Sequence, residues 1–376
     1  MKKRFIWILP IWAITLGYSL LWTPITRAGP SQQSDDPVIQ GEYLTQVAMC
    51  VFCHTPFKEE YEQLETLTFD DIRAIAFSID ELIDEERLFA GGHEIPLGPA
   101  GVVVSKNLTS DVETGLGAWT DEQIKNAIRL GISRDGHQLS PVMPYEFFNG
   151  MAETDLDAIV AYLRTLPPIR NEIPHEEEQH IVPENFTPLP IRVDIVVPEP
   201  SDLPARGEYL MSAVVGCALC HTPADPTTGE PMPDLQFAGG QPFEGPWGIV
   251  YGGNLTPHEE TGIGTWSDAD IERILSEGIR PDGRRTVLMP WAYTSKLTPE
   301  DTAAIIYFLR NSLAPADYEV PTPALLEGLF EYVEVPEEGA SETNTGTLIG
   351  LAALAALILA GGGILVRRRQ KAEGGS

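Results

Sequence analysis

The chain is short of cysteine and of positive charge. Its 376 residues include four cysteines. All four fall in two tetrapeptides, Cys50-Val51-Phe52-Cys53 and Cys217-Ala218-Leu219-Cys220, which leaves none to staple the rest with disulfides. Basic residues number 25 against 55 acidic, a formal net charge of −30. Such a surface repels nucleic acid and other acidic proteins, and it steers a basic partner at low ionic strength. Long apolar runs are missing from everything but the two ends.

What is present is a pattern that occurs twice. Each tetrapeptide is followed at once by a histidine, His54 and His221. C-x-x-C-H is the attachment pattern of c-type haem: two thiols form thioethers with the porphyrin, and the adjacent imidazole becomes the proximal iron ligand. Two intervening residues let one turn of backbone present both sulfurs to one edge of the macrocycle. A redox-active C-x-x-C pair or half a zinc site would leave the paired histidines and the repetition unexplained. The expected cofactors are two covalently attached haem c groups, held by Cys50 and Cys53 and by Cys217 and Cys220.

Covalent haem attachment belongs to the exported side of a bacterial membrane, and the ends suit that setting. Lys2, Lys3 and Arg4 precede an apolar run from Phe5 to Trp22, and Thr26-Arg27-Ala28 follows. Residues 1–28 read as a signal peptide, with an uncleaved N-terminal anchor as the competing reading. Residues 347–366 carry no charge and are long enough as a helix to cross about 30 Å of hydrocarbon. Arg367, Arg368, Arg369 and Lys371 come next, which places residues 367–376 in the cytoplasm. The expectation is a single-pass protein of a bacterial cell membrane, with its haem domains on the periplasmic or extracellular side.

The repetition extends well beyond the haem motifs. Gly41-Glu42-Tyr43-Leu44 returns as Gly207-Glu208-Tyr209-Leu210, Phe89-Ala90-Gly91-Gly92 as Phe237-Ala238-Gly239-Gly240, and Asn107-Leu108-Thr109 as Asn254-Leu255-Thr256. The run from Thr114 to Thr120 returns from Thr261 to Ser267, and Met143-Pro144-Tyr145 returns as Met289-Pro290-Trp291. The order is preserved, as in a domain duplication. The expected fold is mainly α: two tandem haem-binding domains at 37–166 and 205–315, a Pro/Glu-rich linker at 167–204, and an acidic stalk at 316–346. Each copy shows three helical signals. One leads into the haem motif, a second opens on Thr120 with Gln123 or Ser267 with Asp270 as a capping box, and a third opens on Thr154 or Thr298. Domain 1 holds 34 residues between His54 and Phe89, against 15 between His221 and Phe237. This acidic insertion, partly periodic from Phe69 to Ile83, is expected to lay one or two short helices over the first haem's edge.

The opposite axial position decides whether a haem binds substrate or only passes electrons. A shared distal ligand should fall at equivalent places in both copies, and Met143 and Met289 do. A thioether there raises the potential and leaves no open site. His93, His137 and His258 align with Gln241, Arg284 and Asp111, so no distal histidine is common to both copies. His175 and His180 lie among linker glutamates, and Met232 has no counterpart. The paired Trp119 and Trp266 could donate to a haem propionate or serve as core aromatics. Each proximal histidine needs an acceptor for its second ring N–H, expected in the loop holding Pro56 or Pro223.

Taken together, these motifs resemble the class I cytochrome c domains of bacterial multihaem cytochromes, in particular the cytochrome c subunits of membrane-bound alcohol and gluconate dehydrogenases. The resemblance covers about residues 39–166 and 205–313. It implies a helical cytochrome c fold in each domain, with His54/Met143 and His221/Met289 as axial pairs. It also implies a non-enzymatic role, passing electrons between redox proteins as a partner in a multi-subunit complex; with the C-terminal apolar segment, the expectation is a membrane-anchored electron carrier. Those relatives usually carry three haems, whereas this chain has two. The contrasting expectation is a dihaem enzyme, peroxidase-like or thiosulfate-oxidising, with one open iron.

Overall fold

The computed structural model describes residues 34–61, 68–96, 101–173, 189–192, 194–329 and 331–335. Segments 1–28 and 347–366, read from sequence as signal peptide and membrane helix, lie outside them. The expected single-pass localisation is corrected on this point: no helix among the described residues is long and apolar enough to cross a membrane.

The first half runs α1 (Pro37–Val47), α2 (Cys50–Cys53), α3 (Phe69–Phe77), β1 (Glu94–Pro96), β2 (Val102–Val104), α4 (Asp121–Leu130), α5 (Tyr145–Phe148) and α6 (Glu153–Leu163). The second repeats the order as α7 (Leu203–Tyr209), α8 (Cys217–His221), β3 (Pro242–Gly245), β4 (Gly248–Tyr251), α9 (Asp268–Glu277), α10 (Trp291–Thr294) and α11 (Pro299–Asn311), then adds β5 (Ala324–Leu325). Among these elements, α3 alone lacks a partner in the second half. The mainly α expectation is met only in part, because strands accompany the helices: β1 and β2 form an antiparallel pair, and β3, β4 and β5 a three-stranded antiparallel sheet. The β-branched runs Val102-Val103-Val104 and Ile249-Val250 suit a pleated, half-buried surface.

Local chemistry sets most helix starts. Asp36 and Asp202 cap α1 and α7, and both predicted capping boxes form, Thr120 with Gln123 and Ser267 with Asp270. Thr298 caps α11, whose Pro299 has no N–H to leave unpaired. α6 differs from expectation. It begins at Glu153 rather than Thr154, and its N-cap Ala152 has no side chain able to cap.

The repeated G-E-Y-L motif has two separate jobs. Its glycine brings the first helix of each half against the last: a Cβ on Gly41 would stand 1.9 Å from the Ala158 carbonyl oxygen, and one on Gly207 2.2 Å from that of Ala304. Any larger residue would force these helices apart. The contact buries Leu44, Leu156 and Ile159 in one half and Leu210 and Ile305 in the other, all within one apolar core spanning both. Each fully buried aliphatic side chain contributes about 1.5–3 kcal/mol.

The tyrosine of the motif crosses to the opposite half. Tyr209 accepts the Ala152 N–H at 3.1 Å and donates to Asp155 at 2.6 Å, which supplies the cap α6 lacks. Tyr43 likewise accepts from the Thr298 backbone and donates to Asp301 at 2.5 Å. Each half therefore caps the last helix of the other. Burial pushes both phenols well above their ordinary range, so they remain donors.

Candidate functional site

Each cysteine pair sits on a single helical turn entered through a left-handed residue, Met49 (φ 60°) before α2 and Gly216 (φ 72°) before α8. The turn closes with the His54 N–H donating to the Cys50 carbonyl at 2.9 Å. Both sulfurs of each pair thus share one short turn with a histidine immediately after.

His54 Nδ1 lies 2.8 Å from the Lys106 carbonyl oxygen, and His221 Nδ1 2.7 Å from that of Gly253. A carbonyl can only accept, so Nδ1 carries the proton and Nε2 keeps the free lone pair. Burial lowers both imidazole pKa values, against an opposing pull from these bonds, so each ring is held neutral. That is the state a metal-ligating histidine requires. The acceptor does not come from the loop after the histidine, as expected, but from 52 and 32 residues along the chain.

The remaining repeated motifs build the clamp that supplies this acceptor. Gly91 N–H donates to the His54 carbonyl at 2.8 Å, and Gly239 N–H to that of His221 at 2.7 Å. Both glycines have positive φ, and a Cβ would stand 2.5 Å from Lys106 C or 2.6 Å from Gly253 C. Only glycine lets the two strands of the clamp approach. Thr55 and Thr222 accept the Phe89 and Phe237 N–H groups at 3.1 and 3.2 Å, and both phenylalanines are left-handed and fully buried. Asn107 and Asn254, next to the acceptor carbonyls, take N–H and hydroxyl donors from Thr109 and Thr256. Their amides donate to Ile169 and Ala316 carbonyls, which docks the segment after the last helix of each half.

The thiols are not poised for redox or thiolate chemistry. Although part of each side chain stays accessible, crowding at the sulfur pushes Cys50 and Cys217 up to about 12 and Cys53 and Cys220 up to about 11. Among the described residues, no group of three or more His, Cys, Asp or Glu side chains could hold a bare metal ion.

Met143 and Met289 occupy the same turn in the two halves, each carbonyl accepting the N–H of Tyr145 or Trp291 at 2.7 or 2.8 Å. Both thioethers are half-buried and pack on the shared core. The other described histidines are engaged differently: His137 with Ser133 and Asp135, His258 with Thr261, and His93 edge-on to Phe57 with ring centroids 4.1 Å apart; His175 and His180 lie outside the described residues. Trp119 and Trp266 have their ring faces covered by Arg134 and Arg280. Arg164 and Arg310, absent from the sequence reading, bind the carbonyls of these tryptophans and the carboxylates of Asp121 and Asp268. A Leu-Arg pair near the end of each last helix was the signal that could have found them.

The halves also place their cysteine turns near each other's methionine loop. Phe52 meets Tyr293 with ring centroids 5.9 Å apart, and a Cβ on Gly216 would lie 3.8 Å from the Phe147 ring. Tyr293 and Phe147 each stand four residues after a paired methionine.

No family model matches the chain. Over 244 residues it is 30% identical to a dihaem c-type cytochrome of Cereibacter sphaeroides, covering 60% of this chain and 77% of that protein. The chain belongs to the dihaem c-type cytochromes. This cytochrome is also 28% identical over 306 residues to the cytochrome subunit of fructose dehydrogenase from Gluconobacter japonicus, covering 78% of the chain and 56% of the relative. It is 26% identical over 264 residues to the cytochrome c subunit of gluconate 2-dehydrogenase from Pantoea cypripedii, covering 66% and 52%. It spans about half the length of the dehydrogenase-subunit relatives it matches. The residues present fit covalently bound haem c: two thiols per turn, and a neutral imidazole fixed through Nδ1 with Nε2 left to ligate.

Proposed function

We propose that this chain is an electron-transfer protein built from two tandem class I cytochrome c domains, residues 37–166 and 205–315. Cys50 and Cys53 hold one haem c, and Cys217 and Cys220 hold a second. His54 with Met143 and His221 with Met289 form the axial pairs. Covalently bound haem supplies reversible one-electron chemistry at neutral pH. The protein's own share is to fix the two imidazoles, exclude water and hold the domains in one arrangement. The carbonyls of Lys106 and Gly253 orient the rings, the Gly91 and Gly239 clamps keep those carbonyls in place, and the crossed tyrosines lock the domains together.

The observation that carries this reading is the equivalence of the two histidine–carbonyl pairs, at 2.8 and 2.7 Å. Both sites are prepared in the same way, which favours a relay over an arrangement with one site set apart for substrate. Several relatives are named as cytochrome subunits of dehydrogenases. The partners we infer are accordingly a dehydrogenase or other redox donor and a downstream acceptor, within a multi-subunit complex. The net charge of −30 favours a basic docking face on a partner.

Mass measurement of denatured protein tests the cofactor assignment. The wild type should retain two haems, and the Cys50→Ser/Cys53→Ser and Cys217→Ser/Cys220→Ser double variants one each. Retention of both haems in either variant would refute the assignment.

A further inference from the structure

The insertion of the first half also reaches the second. α3 packs against the second half, on the loop that carries Met289. The last carbonyls of a helix have no partner within it, and two of those in α3 find partners across the interface. Ala76 O accepts the Leu288 N–H at 2.9 Å, and Phe77 O accepts the Trp291 indole N–H at 3.1 Å. These donors lie one residue before Met289 and two after it.

Three further features tie α3 to this loop. Ala76, Phe77 and Leu329 form a separate apolar cluster, with Ile72, Trp247, Val287 and Leu325 packed around it. Arg285 covers the Trp291 ring, and Glu331 bridges Arg285 to Arg73 of α3, at 3.4 and 2.7 Å. Leu288 is left-handed, with φ 62°. That conformation costs a side-chain-bearing residue energy unless its surroundings hold it.

Among the described residues, the first half's methionine loop has no counterpart to these bonds from α3. That loop bonds locally, with the Met143 N–H donating to the Ser140 carbonyl at 3.1 Å, and the residue preceding Met143 is not left-handed. In both halves the aromatic after Met-Pro covers a left-handed helix-ending glycine, Tyr145 on Gly131 and Trp291 on Gly278. The exchange of Tyr for Trp supplies the N–H that reaches Phe77.

We infer that α3 is a positioning element for Met289 alone, through which the first domain sets how firmly the second domain's thioether is held. This rests on the reading of Met289 as an axial ligand. Trp291, Leu288 and Arg73 act through that loop, and none of them is itself read as a ligand.

The test is imidazole titration of oxidised, haem-loaded, full-length protein, followed at the sulfur-to-iron absorption band. In a Met143→Ala background, the remaining band reports Met289. Adding Trp291→Phe, which keeps an aromatic ring but loses the indole N–H bond to Phe77, should let imidazole displace the thioether at about fivefold lower concentration. The exposed Arg73→Glu, which sets two carboxylates side by side, should shift it the same way by a smaller factor. In the converse Met289→Ala background, neither change should alter displacement of Met143. Unshifted titrations with both α3-loop variants would overturn the inference while leaving the ligand reading intact. No band at all in Met143→Ala would overturn the ligand reading, and this inference with it.

Discussion

The Tyr43 hydroxyl lies 2.5 Å from the Asp301 carboxylate, a bond between the first helix of one half and the last helix of the other. Asp301 also receives Arg206 in a two-pronged pair, at 2.7 and 2.9 Å, with both side chains almost fully buried. Removing one partner of such a pair strands the other charge in a poorly solvating interior. Asp301→Asn should therefore lower the unfolding free energy by about 3–5 kcal/mol in a urea titration. Tyr43→Phe removes the donor to Asp301 and the acceptor for the Thr298 N–H, and should cost about 1–3 kcal/mol.

The matching site in the first half lacks the cation. Gln40 stands where the second half has Arg206, and it lies beside Asp155. Burial pushes the Asp155 carboxyl above its ordinary value of 3.8, only partly offset by the Tyr209 hydrogen bond. A carboxyl that binds its proton more tightly when folded stabilises the protein below the unfolded value. It loses that contribution as pH rises through the native one. Asp155→Asn should thus gain stability relative to wild type as pH climbs from the acid range, then hold a constant advantage. Parallel denaturant titrations across pH check this, and a difference that shrinks with rising pH would contradict it.

Much of this architecture was legible in the sequence, and the reasons for what was not are physical. The capping boxes at Thr120 and Ser267 and the paired cysteine turns are local, so spacing alone located them. The acceptors for His54 and His221 were not legible, because any residue carries a backbone carbonyl and only the fold brings Lys106 or Gly253 into place. The reach of Tyr43 and Tyr209 across the halves left no sequence signal beyond their repetition. The start of α6 was misplaced for the same reason, since the group that caps Ala152 lies on the other half. The α3 helix was expected from its periodicity, but its periodic face could not say which half it would cover.

The glycine clamp yields a third prediction. At Gly91 and Gly239 a Cβ meets the backbone that carries the histidine's acceptor, in a conformation with φ of 70° or 83°. Gly91→Ala should cost about 1–2 kcal/mol from the left-handed backbone alone, and more from displacing Lys106. Gly239→Ala should act likewise on Gly253. Differential scanning calorimetry gives the stability loss. The haem spectrum of each variant should change at one site only, because the two clamps share no residues.

The central claim is that both sites are closed by imidazole on one side and thioether on the other. The far-red absorption of the oxidised protein tests it most directly. The account predicts a sulfur-to-iron band in the wild type that falls by roughly half in Met143→Ala, by roughly half in Met289→Ala, and to nothing in the double variant. A high-spin signal from either site in the wild type, or a full band surviving either single replacement, would contradict it.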